Sequence, residues 1–494
     1  MRIVRLLAIG VASVGTAEAR PQADPCRAAS LPTPSDFRVA HAEPLASGDC
    51  RVDGVIGKEI GVVIVLPPAE RWNGRLVAVG VGGQAGSLPE RDFARLARRG
   101  YAAMGNDSGH KASDTHWLLG DPERAANYAG LANHRMAEVG RALVAAHYGH
   151  EASHRFFVGC SGGGRQALTE VQRYPTDFDG VIAGALGVDT PAISARRMWE
   201  MGQHSRLGKL MPADRWRLVA SAAVRSCDAL DGVRDGILGD PFRCRFDPAS
   251  LRCARAISAD CLTDAQVAAA RLLYRPLHDE NGRRIDAGLL PGTPVSPVPL
   301  PEPFTPGPTY LAVALFGDGV HRDRHWDART FHIADDLPAI DRVMNLHADN
   351  PDIDAFRANG GKLILYQGLA DPLVSARSTV GYVRALQRRY GAALRVTARL
   401  FLVPGMDHCV GGGVPDRFGG AGSDGAPLDP GHDMLSALET WVEQGRAPDM
   451  IVAIQQGPVS RSRPLCVFPA AARYRGGPVD EAASFDCGAK VPTT

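Results

Sequence analysis

Arg155-Phe156-Phe157-Val158-Gly159-Cys160-Ser161-Gly162-Gly163-Gly164-Arg165, followed by Gln166-Ala167-Leu168-Thr169-Glu170-Val171, decides the fold. An apolar run passes through Gly-x-Ser-x-Gly directly into a helical pattern, which predicts a strand, a sharp turn and a helix. Gly159 and Gly163 sit two places either side of Ser161, where such a turn leaves little room for side chains. The turn lifts the Ser161 hydroxyl above a sheet, and the helix N-terminus behind it favours developing negative charge. Gly-x-Ser-x-Gly alone also describes a glycine-rich turn without chemistry, so the strand before it and the helix after it carry the reading.

Working outward, residues 60–66 (Ile-Gly-Val-Val-Ile-Val-Leu) and 75–79 (Arg-Leu-Val-Ala-Val) read as strands, and Gly80-Val81-Gly82-Gly83-Gln84-Ala85-Gly86 as a loop. Apolar residues recur at helical spacing over 90–99 and 132–148, separated by an extended 101–104. The alternation resumes with strands at 362–366 and 400–403 and a helix between them over 375–390. Strand alternating with helix predicts an α/β fold of the α/β-hydrolase type, a mostly parallel sheet with helices on both faces.

Between about 190 and 359 the alternation breaks into two small cysteine loops, a proline-rich stretch over 291–308 and aromatic and histidine-rich sequence over 316–331. That is too long for a connection and predicts a large lid domain inserted at the sheet's active edge. The expected organisation is a signal peptide over 1–19, a first catalytic part over 20–189, the lid over 190–359 and a second catalytic part over 360–494.

The signal reading rests on Arg2 and Arg5, the apolar run 6–14 and Ala17-Glu18-Ala19. It implies a secreted or periplasmic protein. The 55 Lys and Arg balance 54 Asp and Glu across 494 residues, giving no electrostatic reason for a nucleic-acid or acidic-membrane partner. Ten cysteines in an exported chain point to disulfides. Placement suggests Cys26 with Cys50, Cys227 with Cys244, Cys253 with Cys261, and Cys466 with Cys487, leaving Cys160 and Cys409.

A serine nucleophile needs a general base, and the base an acid to orient it. The expected order in this fold is Ser, acid, His. Asp371 lies in Gln367-Gly368-Leu369-Ala370-Asp371 after one strand, and His408 in Pro404-Gly405-Met406-Asp407-His408 after the next, both at strand ends where such sheets hold their sites. Asp407 is the alternative acid and His432 the alternative base. If the three converge, Cys160 and Cys409 lie side by side, next to Ser161 and His408.

The sequence resembles the tannase and feruloyl esterase family, which includes mono(2-hydroxyethyl) terephthalate hydrolase. The resemblance runs over nearly the whole mature chain. It rests on Gly159 to Arg165, Asp107-Ser108-Gly109-His110, Gly368-Leu369-Ala370-Asp371-Pro372-Leu373, Pro404-Gly405-Met406-Asp407-His408-Cys409 and Arg463-Pro464-Leu465-Cys466. It implies a triad of Ser161, Asp371 and His408 above a Cys160 to Cys409 disulfide. It also implies an oxyanion hole from the backbone N–H groups of Gly162 and of Gly83, or Gly82.

Within the insertion, Cys227-Asp228-Ala229-Leu230-Asp231-Gly232-Val233-Arg234-Asp235-Gly236-Ile237 gathers three carboxylates whose repulsion a hard cation such as Ca²⁺ relieves. Asp-Gly turns in a disulfide loop account for the same residues, and the bidentate Glu of an EF-hand is missing. The resemblance implies a structural calcium held by Asp228, Asp231 and Asp235 side chains and by Val233 and Ile237 carbonyls.

The expected activity is serine carboxylesterase action on a small ester of an aromatic acid, such as a feruloyl or galloyl group. Phe316, Trp326 and Phe331 are available to bind the ring or to form lid core. Two other readings are a serine peptidase and a calcium-dependent secreted binding protein without turnover. Oligomeric state is not legible.

Overall fold

Residues 60–66 contain no charged side chain and are buried throughout, as a strand covered on both faces requires. In the computed structural model, which describes Cys26 and residues 34–207, 211–295, 311–457 and 460–490, this strand belongs to a nine-stranded sheet. Its strands are β1 (Phe37–Pro44), β2 (Cys50–Ile56), β3 (Ile60–Leu66), β4 (Arg75–Val79), β5 (Ala102–Asn106), β6 (His154–Cys160), β7 (Gly180–Gly184), β8 (Lys362–Gly368) and β9 (Ala398–Val403). Their order is β1-β2-β3-β5-β4-β6-β7-β8-β9. Pairings from β5 to β9 are parallel and those from β1 to β5 antiparallel. The expected signal peptide and residues 296–308 of the proline-rich stretch lie outside the described residues.

Alternate residues of each strand feed two cores, because successive side chains point to opposite faces. Ile64, Leu76 and Leu365 pack with helices Ala132–Tyr148, Gly162–Arg173 and Ala376–Tyr390 on one face. Val63, Val77 and Ile364 pack with helices Glu90–Arg98 and Met434–Gln444 on the other. The chain therefore has the mostly parallel, doubly covered sheet of an α/β-hydrolase.

Among the described residues, the segment between β7 and β8 adds no strand to this sheet. It builds clusters of its own, one around Met198, Phe316 and Ile340 and another around Trp216, Val219 and Leu273. The first also takes in Val81, Ala85, Trp117 and Tyr128, so the insertion packs directly on the loops beyond β4 and β5. Its last part returns to the sheet: Ala348, Ile353 and Phe356 lie in the core beneath the helices.

All ten cysteines pair: Cys26 with Cys50, Cys227 with Cys244, Cys253 with Cys261 and Cys466 with Cys487 as their placement suggests, and Cys160 with Cys409 as the resemblance implies.

Candidate active site

Strand β6 ends at Cys160, and helix Gly162–Arg173 begins two residues later, so Ser161 alone makes the turn. It does so at φ 63° and ψ −122°, a region that L-residues avoid and that functional turns over-determine. The turn is secured by the Ser161 N–H donating to the Gly184 carbonyl of β7 at 3.0 Å. Its tightness explains the flanking glycines: a Cβ on Gly159 would lie 2.3 Å from the Gly163 carbonyl oxygen.

Two further strand ends deliver the partners. Beyond β8 and β9 the loops are joined by the Ala370 N–H donating to the Met406 carbonyl at 3.0 Å. His408 Nε2 lies 2.8 Å from Ser161 Oγ. Its Nδ1 lies 3.0 and 2.9 Å from the two carboxylate oxygens of Asp371. An Nδ1–H bonded to the carboxylate leaves Nε2 as the acceptor facing the hydroxyl. The Asp371 side chain is 0% exposed and that of His408 21%, so the acid is sealed while the ring reaches the mouth of the site.

A buried carboxylate must be solvated by the protein. Asp371 Oδ1 accepts the N–H groups of Leu373 at 2.8 Å and Val374 at 2.9 Å, and Oδ2 accepts Gln367 Nε2 at 3.0 Å. Gln367 is itself pinned, its Oε1 accepting the buried Thr379 hydroxyl at 2.7 Å. The sequence reading missed Gln367 and Thr379. The signal was a lone amide in the otherwise apolar end of β8, since a buried amide requires partners.

The alternatives do not take these places. The Asp407 carboxyl is raised in pKa by burial, with Asp371 adding repulsion, and Asp371 occupies the imidazole instead. His432 pairs with Asp429 at 3.0 Å.

The loop 80–86 lies against the turn. A Cβ on Gly162 would lie 3.1 Å from the Gly83 nitrogen and 3.2 Å from the Gly82 carbonyl carbon, and one on Gly82 would lie 3.9 Å from Ser161 Cβ. The Gly83 and Gly162 backbones are therefore neighbours beside Ser161.

Burial pushes the Asp231 carboxyl up to about 6, with Asp235 and Asp228 adding to it. Asp228 is buried and accepts the Gly236 N–H at 3.1 Å, while Asp235 pairs with Arg463. Gly239 leaves the space Asp231 fills, since a Cβ there would lie 2.4 Å from its Oδ2. The hard oxygen donors fit Ca²⁺ in type and charge. Among the described residues, however, no three His, Cys, Asp or Glu side chains already gather as a metal site.

Of the lid aromatics, Phe316 is 0% exposed within the insertion's own core. Phe331 packs on it at 4.5 Å between centroids, and Trp326 stacks on His321 at 5.1 Å.

A family model described as tannase and feruloyl esterase matches residues 46–297 and 315–488. An uncharacterized esterase of Xanthomonas campestris is 34% identical, with 89% of this chain and 84% of that protein covered. A probable feruloyl esterase B-1 of Aspergillus terreus is 32% identical, covering 86% of this chain and 83% of that one. The crystal structure of feruloyl esterase B from Aspergillus oryzae superposes with a TM-score of 0.84 at 25% identity, over 92% of this chain and 97% of that one.

Proposed function

Because the chain belongs to the tannase and feruloyl esterase family, and so is a carboxylic ester hydrolase acting on small-molecule esters, we propose that it works through an acyl-enzyme on Ser161. The observation that carries this reading is the unbroken chain from Ser161 Oγ through His408 to the sealed Asp371 carboxylate.

His408 Nε2 takes the hydroxyl proton as Oγ bonds to the ester carbonyl carbon. The carbonyl oxygen becomes an oxyanion and meets the N–H groups of Gly83 and Gly162. The carbon to alcohol-oxygen bond then breaks, and the alcohol leaves with the proton from Nε2. Water repeats the sequence on the acyl-enzyme and releases the acid. Asp371 holds the imidazole in the tautomer that accepts at Nε2 and stabilises the imidazolium.

The acid released is proposed to be aromatic, of the feruloyl or galloyl kind. Supporting this are the names of the relatives and the partly exposed Trp326 and Phe331 of the lid. Phe316 contributes by shaping the core beneath them. Residues 190–359 form the lid in this reading, with Ala348, Ile353 and Phe356 anchoring its last part in the core of the sheet.

Ca²⁺ is proposed as a structural ion, with Asp228, Asp231 and Asp235 and the carbonyls of Val233 and Ile237 as its holders. Supporting it are the hard oxygen donors gathered in this loop and the raised Asp231 pKa. Coordination by Asp235 requires it to exchange part of its contact with Arg463. When bound, the ion supplies charge neutralisation to the loop.

Export to an oxidising compartment is part of the same proposal. Five disulfides suit it, and among the described residues no helix is long and apolar enough to cross a membrane.

The test is a hydrolysis screen over methyl ferulate, methyl gallate, a terephthalate half-ester, a simple aliphatic ester and a peptide amide. Turnover of an aromatic ester without amide cleavage, lost in Ser161→Ala, is expected. Amide cleavage would favour a peptidase, and no turnover of any substrate would favour a binding protein.

A further inference from the structure

Resting on the assignment of Gly83 as an oxyanion donor, we infer that Tyr128 is a positioning residue for that donor, and that Arg165 and Gln166 fix the donor loop from the helix that carries the nucleophile. The stretch Val81-Gly82-Gly83-Gln84 contains two adjacent glycines, whose peptides rotate freely unless tied.

Three hydrogen bonds tie them. Gln166 Oε1 accepts the Val81 N–H at 3.0 Å. The Ala85 N–H donates to the Gly82 carbonyl at 3.0 Å. The Tyr128 hydroxyl donates to the Gly83 carbonyl at 2.7 Å. In a trans peptide the C=O and N–H groups point in opposite directions. Turning the Gly82 carbonyl towards Ala85 therefore turns the Gly83 N–H away from it. The Tyr128 bond fixes the next peptide, so both peptides that meet at Gly83 are held.

Tyr128 is buried and sits in the kinked turn Asn127–Leu131, where Gly130 leaves helical geometry at φ 148°. Arg165 holds that turn. Its guanidinium donates to the carbonyls of Tyr128 at 2.8 Å and Ala129 at 3.3 Å, and lies 4.8 Å from the Tyr128 ring centroid. Arg165 and Gln166 follow Ser161 by four and five positions. One helix thus sets both the attacking oxygen and, through Tyr128 and Val81, the loop that meets the oxyanion. The Tyr128 hydroxyl acts through the peptide it holds.

Tyr128→Phe keeps the ring under Arg165 and deletes only the hydroxyl. The readouts are steady-state kinetics on a nitrophenyl ester, affinity for phenylboronic acid, which becomes tetrahedral on the serine, and affinity for benzoate, which does not. The expected result is a kcat lower by about 10-fold with KM within about two-fold. Phenylboronic acid affinity falls by the same factor as kcat, and benzoate affinity is unchanged. Unchanged kcat and phenylboronic acid affinity would overturn the inference, as would a parallel loss of benzoate affinity, which marks general disturbance of the site. If the Phe variant does not fold, Gln166→Met, which cuts the tie at Val81, is read by the same criteria. Ser161→Ala separates the two levels: if it still turns over the ester, the serine reading fails, whereas its inactivity beside an unaffected Tyr128→Phe defeats only the positioning role.

Discussion

Cys160 and Cys409 are joined by a disulfide across 249 residues, and their chain neighbours Ser161 and His408 stand 2.8 Å apart. The bond thus links the Ser161 turn to the His408 loop, two elements delivered by strands β6 and β9, which are not neighbours in the sheet. Cys409 itself has φ 66°, a conformation that needs external support in a residue with a Cβ.

Replacing both cysteines, as Cys160→Ser with Cys409→Ser, is expected to destabilise the protein by up to about 5 kcal/mol in the chain-entropy model. Urea unfolding measures this. At temperatures where the variant is folded, kcat falls more than KM rises, because the His408 loop loses its anchor while the substrate surfaces remain.

Asp371→Asn preserves an oxygen that can accept the N–H groups of Leu373 and Val374, so the loop stays folded. The amide cannot hold His408 in the productive tautomer, and kcat is expected to fall by about 10⁴-fold. Kinetics alongside a melting curve close to that of the parent chain checks this prediction.

The raised Asp231 carboxyl, at about 6, makes a pH prediction. In cation-free protein the folded state keeps a proton that the unfolded state releases near pH 4. The stabilising contribution is complete below that value and is lost as pH rises through about 6. Thermal melts after chelation should therefore show wild type losing stability relative to Asp231→Asn over this window. Added Ca²⁺ should restore wild type most above pH 6 and leave Asp231→Asn little changed.

Glu170, on the helix behind Ser161, is fully buried. Burial pushes its pKa well above the usual range, with Asp177 adding to the effect. The folded protein thus holds the proton where the unfolded chain has lost it, and stability declines as pH rises above the ordinary glutamate value of about 4.3. Glu170→Gln should match wild type in acid and become progressively more stable than it towards neutrality, as melts across that range will show.

The sheet and the Ser161, Asp371 and His408 positions were legible because each motif follows an apolar strand, and strand ends converge on one rim. The N-terminal strands β1 and β2 and the short β7 were not read. Residues 37–44 alternate weakly between buried and exposed, and Gly180-Val181-Ile182-Ala183-Gly184 is too short and glycine-flanked to announce a strand. The supporting shell was least legible. Tyr128 looks like an ordinary core aromatic, and only the turn it occupies brings its hydroxyl to Gly83. Nor does spacing reveal that Arg463, far along the chain, reaches Asp235 in the acidic loop.

The most direct test of the central claim is mass spectrometry of the protein after exposure to a fluorophosphonate, which bonds to an activated serine hydroxyl. The account predicts one adduct, on the peptide bearing Ser161, absent in Ser161→Ala and strongly slowed in His408→Ala. An adduct on another residue, or ester hydrolysis persisting undiminished in Ser161→Ala, would contradict it.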